Sequence, residues 1–472
     1  MTKQRQPAEK HIIASDAELL KWRRRNSYYY KWLEHLFRFI VRPGSRVLDV
    51  GCGCGDLLAA VEPAYGVGVD ADTAAIELAK KRFPKFRFIA ADPHEFDLNE
   101  KFDYILICNS LGQWRDIQQV LERLKPMTDQ HTRIVITYYN YLWEAVMRLG
   151  SFLKIRRRQS YNNWLPMEDI ANLLELTGFD VIRSNSYMLM PKRFLLVDIF
   201  FNRILALVPG VRKFNLVNLV IARPAPVPKR DEDLSVSVIV PCRNERGNIE
   251  DAIKRIPDMG KSTEIIFVDG GSSDGTADEI ERQIQLHPER KISLIHQGGG
   301  IGKGDAVRKG FAAATGDVFV IQDADLTSPP EDLPKFFAAI CDGKGEYING
   351  SRLVYPLEKQ AMRFLNLLAN KFFGKLFTWL LGQRFRDTLC GTKMIGAEDY
   401  RRIVADRSYF GDFDPFGDFD LIFGAVKQNL KVVEVPVRYR ARTYGETNIS
   451  RFRHGWLLLK MSWIAFKKIK WL

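Results

Sequence analysis

The run IQDADLTSPP, residues 321–330, sets Asp323 and Asp325 directly after an apolar stretch, Val318 to Ile321. Read as a strand end, that spacing points both carboxylates the same way. Two like charges on one face repel, and each is costly to desolvate. A hard divalent cation, Mg²⁺ or Mn²⁺, would remove the conflict. Such ions take one or two carboxylates and complete their shell with substrate phosphates. A solvated strand end is the plainer alternative.

Other apolar runs in the same half also end in polar residues. Val236 to Val240 leads into Pro241, Arg243 and Glu245, Glu264 to Val268 leads into Asp269, and a glycine run precedes Lys303. In open α/β sheets, ligands bind beyond the carboxyl ends of the strands. Glu245 and Asp269 suit a base and ribose, and Lys303 suits a phosphate. Asp323 and Asp325 suit a cation bridging a diphosphate, where it would offset charge on the leaving group. Together these are the requirements of a nucleotide-diphosphate sugar. The run GGGIGKGD is not a P-loop, because it lacks the Gly-Lys-Ser/Thr ending and does not open its domain.

The first half carries a different constellation. RVLDVGCGCGD, residues 46–56, runs a strand into Gly51, Gly53 and Gly55, with Asp49 inside the strand. Glycines allow a tight turn and a close approach of backbone to ligand. A second strand, Gly66 to Val69, ends in Asp70, at the spacing of an acid that reaches ribose hydroxyls. Phe86 to Ala90 precedes Asp92, and Tyr104 to Cys108 precedes Asn109 and Ser110. A nucleoside ligand follows from this set. NAD fits less well, since it wants G-x-G-x-x-G over a helix N-terminus. Cys52 and Cys54 read as small fillers, and His94 and His131 as structural or solvated. The aromatics of residues 109–121 and 138–144 are either core and lid or walls of an acceptor site.

These residues need elements to hold them. The chain of 472 residues is long for one core, and its 46% hydrophobic and 27% charged content is globular. Short apolar runs alternating with helical patterns predict two α/β domains with largely parallel sheets. The segment RPAPVPKRDED reads as a linker. The expected divisions are a basic extension (1–29), a first domain (30–222), the linker (223–234), a second domain (235–450) and a basic amphipathic helix (451–472). The opening MTKQRQPAEK has no apolar stretch of a secretory leader. Six cysteines without a C-x-x-C pair argue against zinc or a disulfide framework and fit a reducing cytosol.

The net charge of +13, with pI near 9.3, implies a polyanionic partner. No nucleic-acid-binding motif accompanies it, so phosphorylated substrates and an anionic membrane surface are expected instead. Residues 361–381 set Arg363, Asn366, Asn370 and Gly374 on one helical stripe, with Leu, Phe and Trp elsewhere. Residues 454–472 set Lys460, Lys467, Lys468 and Lys470 on one face among Trp456, Trp463 and Trp471. Basic helices with tryptophan lie in the bilayer interface. A peripheral position on the cytoplasmic face of the cell membrane is therefore expected. Residues 194–211 are too polar to span a bilayer and read as a capping helix or a membrane-facing lid.

With these residues in view, the first half resembles a class I S-adenosylmethionine-dependent methyltransferase, on the D-x-G-x-G-x-G run at Asp49 to Gly55. The resemblance implies glycines facing the methionine part of the cofactor, Asp70 on the ribose and Asp92 on the adenine amine. From Ser235 onward the chain resembles inverting family-two glycosyltransferases of GT-A fold, especially polyprenyl- and dolichyl-phosphate sugar synthases. The matching runs include VIVPCRNE, VDGGSSDGT, GKGDAVRKGF, QDADLTSPPEDL, INGSR, RDTLCGTK and FGDFDLIFGA. That resemblance implies a metal-binding D-x-D at Asp323 and Asp325, and phosphate contacts at Arg352, Arg363 and Arg442. It implies a structural-catalytic loop at Asp387, and acceptor-side acids at Asp418 and Asp420. The fusion itself resembles a bacterial bifunctional group.

Thr327 stands where a glutamine often assists the metal, Gly270 replaces a usual aspartate, and Thr447-Asn448 replaces a usual Ser-Lys. The acceptor is thus a polyprenyl phosphate or a glycan hydroxyl. A hydroxyl would need a base, for which Asp418 is the candidate. The first domain either transfers methyl groups in glycan synthesis or binds the cofactor without chemistry.

Overall fold

The computed structural model describes residues 16–153, 162–299, 302–356, 364–407, 418–442, 444 and 451–470. The chain divides into two compact units, residues 1–225 and 226–471.

Unit 1 holds strands β1 (Arg46–Val50), β2 (Tyr65–Asp70), β3 (Arg87–Ala90), β4 (Tyr104–Cys108), β5 (Arg133–Tyr139), β6 (Phe179–Tyr187) and β7 (Val217–Pro224). They form one seven-stranded sheet in the order β3-β2-β1-β4-β5-β7-β6. β1 pairs in parallel with β2 and with β4, so the chain order reverses on either side of β1. The central strands are apolar on both faces, as a covered parallel sheet requires.

Two expected boundaries shift. Helix Ser27–Ile40 runs through the division expected at 29/30 and buries Leu33, Leu36, Phe37 and Ile40. β7 also takes in the first residues of the expected linker: Arg223 lies opposite Asp180 and Pro224 opposite Phe179. A buried Arg223 is tolerated there because its Nε donates to Asp180 at 3.0 Å. Pro224 is tolerated because it ends the strand.

Unit 2 holds β8 (Val236–Cys242), β9 (Thr263–Asp269), β10 (Lys291–His296), β11 (Val318–Ile321), β12 (Tyr347–Ser351), β13 (Lys393–Gly396) and β14 (Val432–Pro436). The sheet order is β10-β9-β8-β11-β13-β12-β14, with β8 parallel to both neighbours and β13 antiparallel to both of its own. β8 extends through Pro241, opposite Val268, so Pro241 belongs to the strand end and not to the loop.

β11, in contrast, stops at Ile321. Leu326 adopts φ 50° and its amide returns to the Asp323 carbonyl at 3.2 Å. Asp323 and Asp325 therefore sit on a turn, which corrects the expectation of two same-facing strand positions.

Helices Phe364–Leu381 and Arg451–Ile469 pack together, with the Trp379 and Phe466 rings stacked at 5.8 Å. Asn370 and Gly374 face inward, where a Cβ on Gly374 would lie 2.6 Å from the Arg386 carbonyl oxygen. Lys460 and Lys467 are exposed beside Trp456 and Trp463. Lys470 is not on that face: it is buried, with its ammonium 5.9 Å from the Trp379 ring centre. No described helix is long and apolar enough to cross a membrane.

Glu264 ties the far edge of unit 2 together. It accepts from Ser237 Oγ at 2.6 Å, the Thr315 amide at 2.7 Å and Lys291 Nζ at 2.5 Å. Burial alone would raise its pKa, but Lys291, Ser237 and Thr315 outweigh that and lower it to about 2. A depressed carboxylate stabilises the fold above its unfolded pKa, and that stability is lost as pH falls toward the folded value. The shift corresponds to at most about 3 kcal/mol, less where water screens the exposed Lys291. Glu264→Gln should therefore unfold at lower denaturant than wild type at pH 7. The gap should narrow between pH 5 and 3. A gap independent of pH would contradict this role.

Candidate active sites

In unit 2 the loops after β8, β9 and β11 converge at the carboxyl edge of the sheet. Glu245 and Asp325 share one cation: Arg442 Nη1 donates to Glu245 at 3.1 Å, and Nη2 to Asp325 at 2.5 Å. The other Asp325 oxygen accepts from the Thr327 amide at 3.1 Å and its hydroxyl at 2.9 Å. Asp323 pairs with Lys303, at the start of helix Gly302–Ala313. Burial works to raise the Asp323 pKa, but Lys303, Lys393 and Arg352 hold it below the ordinary range. Glu245 is shifted upward by burial, with Arg442 and Asn248 opposing. The repulsion between the two aspartates is thus met by one protein cation each.

Asp269 is buried and accepts from Ser272 Oγ at 2.5 Å and the Gly271 amide at 3.2 Å. Asn244, in the left-handed region at φ 58°, takes the Ser273 amide on its side-chain oxygen at 2.9 Å, fastening the β8 and β9 loops. Arg243, on the same loop, is exposed.

Arg352 and Asp387 form a bidentate pair, with Nε and Nη2 donating at 2.7 and 2.9 Å. Asp387 is fully buried; burial would raise it, but Arg352 holds it low. Arg352 is therefore the partner of Asp387. Glu434 completes this loop by accepting the Arg386 and Asp387 amides at 2.8 and 3.1 Å.

Asp420 pairs with Arg407 at 3.2 Å and Arg308 at 3.7 Å. Arg308 shares a helix with Lys303, so Asp420 is joined to the aspartate turn through that helix. Asp418 opens the same helix as Asp420, but its side chain, like the whole of Arg363, lies outside the described residues.

Sequence reading missed Thr327 as a partner of Asp325 and had no signal for Glu434. Asn248, whose Nδ2 donates to Glu245 at 2.6 Å, carried the only local hint, three residues after the acid it holds. Among the described residues, no three His, Cys, Asp or Glu side chains gather as a metal cluster. Two carboxylates are what a hard cation asks of the protein when a diphosphate supplies the remaining oxygens.

Unit 1 has its own site at the carboxyl ends of β1, β2 and β4. Asp49 is buried, and neither of its oxygens has a hydrogen-bond partner. Burial, with Asp70 adding repulsion, raises its pKa to about 8. Gly51 lies at φ 82°, and a Cβ there would stand 2.3 Å from Ser110 Cβ. Gly53, at φ 51°, faces open space, and its amide donates to Asp70 at 2.8 Å. Gly55, at φ 77°, caps helix Asp56–Ala60. Asp70 also takes the Asp72 amide at 2.9 Å.

Asp92 is half-exposed and accepts from His94 Nδ1 at 2.6 Å and the His94 amide at 2.9 Å. His94 is thus a structural partner of Asp92. Asn109 donates to the buried Tyr29 hydroxyl at 2.9 Å, and Tyr29 stacks on Tyr139 at 6.1 Å. Trp114 and Tyr138 are core residues, whereas Tyr141 is exposed. An orphaned carboxylate beside a cradle that only glycine fits suits a cationic nucleoside ligand.

Residues 237–398 match the family model Glycosyl transferase family 2, and residues 21–184 match a Methyltransferase domain model. The chain thus joins a methyltransferase domain to a family 2 glycosyl transferase domain. The dolichol-phosphate mannosyltransferase of Pyrococcus furiosus is 31% identical over 240 residues, which is 48% of this chain and 64% of the relative. That of Saccharomyces cerevisiae is 39% identical over 114 residues, 23% of this chain and 42% of the relative. The chain therefore spans less than two thirds of either relative. Among solved structures, glucosyl-3-phosphoglycerate synthase from Mycobacterium tuberculosis, in complex with Mn²⁺, uridine-diphosphate and glucosyl-3-phosphoglycerate, aligns at 19% identity and TM-score 0.37. It covers 50% of this chain and 80% of its own. The N-methyltransferase NodS from Bradyrhizobium japonicum, in complex with S-adenosyl-L-homocysteine, aligns at 14% identity and TM-score 0.33, covering 45% of this chain and 95% of its own.

The raised Asp49 has a testable consequence. A cationic ligand favours the ionised carboxyl, so binding should expel the Asp49 proton. S-adenosylmethionine affinity should rise from pH 6 to pH 8 and then level off. Calorimetry in buffers of different ionisation heat should show proton release near pH 7. Asp49→Asn should abolish the pH dependence; an unchanged profile would contradict the assignment.

Proposed function

We propose that unit 2 is an inverting, metal-dependent glycosyltransferase. It moves a sugar from a nucleotide diphosphate to a polyprenyl phosphate, and unit 1 transfers methyl groups from S-adenosylmethionine in the same glycan assembly. The observation that carries this reading is the pairing of Asp323 with Lys303 and of Asp325 with Arg442. Two carboxylates and two cations at one sheet edge match a divalent cation with a diphosphate. When bound, Mg²⁺ or Mn²⁺ would neutralise charge on the leaving diphosphate, held by Asp323 and Asp325.

Donor binding exchanges partners. Asp323 and Asp325 would hold the cation, which would free Lys303 and Arg442 for phosphate oxygens, for which the planar arginine fork is suited. Glu245 and Asp269, fixed by Asn248 and Ser272, address the base and ribose. An acceptor phosphate oxygen forms a bond to the sugar carbon as the bond to the diphosphate breaks, with inversion. A phosphate monoester is already anionic, so no strong base is required. In unit 1, S-adenosylmethionine supplies an electrophilic methyl group. Asp49 meets its positive charge, Asp70 its ribose and Asp92 its adenine amine. The exposed Trp456, Trp463, Lys460 and Lys467 support a peripheral membrane position for unit 2.

The test is a product assay. Purified chain with Mn²⁺ is given UDP-, GDP- or dTDP-sugars and a short polyprenyl phosphate in liposomes. Mass spectrometry should find a sugar-phosphate lipid, and Asp325→Ala should lower its rate about a hundredfold or more. Metal-dependent donor hydrolysis without a lipid product would overturn the lipid-phosphate acceptor in favour of a hydroxyl. A lipid product that persists undiminished in Asp325→Ala would overturn the role of the turn.

A further inference from the structure

Unit 1 exposes a large apolar face that its own hydrogen bonds build. Leu195 is 83% exposed, Leu196 76% and Phe200 49%, while the polar residues between them turn inward. Asp198 is buried and accepts the Phe194 amide at 3.2 Å. Asn202 accepts the Leu189 and Met190 amides at 2.8 Å each and donates to Tyr28 Oη at 3.1 Å. This arrangement inverts the usual amphipathic helix, whose polar side chains meet water and whose apolar ones meet the core.

A second exposed run joins it. Helix Glu144–Phe152 presents Leu149, and Phe152 at its end is 83% exposed. The turn before that helix is pinned to the same region: Trp143 Nε1 donates to the Phe214 carbonyl at 2.7 Å, and Asn140 Nδ2 to the Lys213 and Asn215 carbonyls at 2.8 Å. Phe214 is itself exposed.

The position of this face bears on chemistry. β1, β4 and β5 are parallel, and their carboxyl ends carry Gly51, Asn109 and the Asn140–Trp143 turn. Tyr29 joins Asn109 to Tyr139, one residue before Asn140, and Tyr28 beside it holds Asn202. The face therefore borders the mouth of the nucleoside site.

Its charge selects the occupant. Among the described residues, 141–153 and 192–214 contain six Lys or Arg (Arg148, Lys192, Arg193, Arg203, Arg212 and Lys213) and two acids, Glu144 and Asp198. Asp198 is buried, and Glu144 pairs with Arg148. A second copy of this chain would bring a basic surface against a basic surface, whereas anionic headgroups are complementary.

We propose that this face of unit 1 inserts into an anionic bilayer, so that the methyl acceptor is a lipid-linked molecule entering the site from the membrane. This rests on unit 1 being a methyl-donor site.

The test uses the full chain with p-benzoylphenylalanine at Leu195, at Phe152 or, as a control, at the exposed Glu77. Vesicles of phosphatidylcholine with or without phosphatidylglycerol are irradiated with each protein, and lipid adducts are read by mass spectrometry. S-adenosylmethionine binding is measured separately by equilibrium dialysis. Adducts at 195 and 152 but not 77, strongest with phosphatidylglycerol, are expected. In a Trp456→Glu/Trp463→Glu background, which removes the unit 2 contribution, Leu195→Glu/Phe200→Glu should lower vesicle partitioning about tenfold or more. Cofactor binding should stay unchanged. Cofactor binding without lipid adducts, or adducts to a second protein chain, would overturn the proposal. Absence of cofactor binding in wild type would overturn the methyl-donor reading instead, whatever the adducts show.

Discussion

Carboxylates gathered at the carboxyl edge of a sheet need cations, and unit 2 is organised around that need. Asp323 lies against Lys303, and Asp325 shares Arg442 with Glu245. Lys303 comes from the helix after β10, and Arg442 from the chain after β14. Residues far apart in the unit's sequence are thus drawn to one turn by charge. The neighbouring loop meets the same demand internally, with Asp387 neutralised by Arg352 at full burial. A pair this buried is costly to break singly, because the remaining charge would have no partner.

Unit 1 leaves the same demand unmet. Asp49 sits in the interior with no hydrogen-bond partner, two residues before Gly51, where a Cβ would meet Ser110. Unit 2 satisfies its acids internally. Unit 1 instead leaves Asp49 without a partner, and burial raises its pKa to about 8. The inverted helix at Val197–Arg203 follows related logic, since its polar residues are used to brace the chain and its apolar ones are left outward.

Much of this was legible from residue order alone. The strand-then-acid pattern located Asp70, Asp92, Asp269 and Asp323 at sheet edges, because parallel strands are continuous apolar runs with abrupt polar ends. The glycine spacing located the unit 1 cradle. Pairings at long sequence distance were not legible: nothing in the sequence near Arg442 indicates that it bridges acids at 245 and 325. Nor was the pairing of Arg352 with Asp387 legible, since an arginine beside a site and one locked to a buried aspartate have the same local sequence. Asp323 and Asp325 were read as same-facing strand positions because an apolar-to-acid transition marks the exit of a strand but not the turn that follows it. Lys470 was misplaced because a helical projection does not know that Trp379 offers its ring.

On the reading proposed above, protein cations hold the two aspartates until a metal and a diphosphate replace them together. Electron paramagnetic resonance of Mn²⁺, titrated into the full chain with and without a nucleoside diphosphate, tests it directly. Weak Mn²⁺ binding to the protein alone is expected. With the nucleotide present, affinity should rise at least tenfold in wild type, because charges on both sides are then exchanged. Arg442→Ala should bind Mn²⁺ more tightly than wild type when no nucleotide is present. Equal Mn²⁺ affinity with and without nucleotide, unchanged by Arg442→Ala, would exclude this exchange of partners.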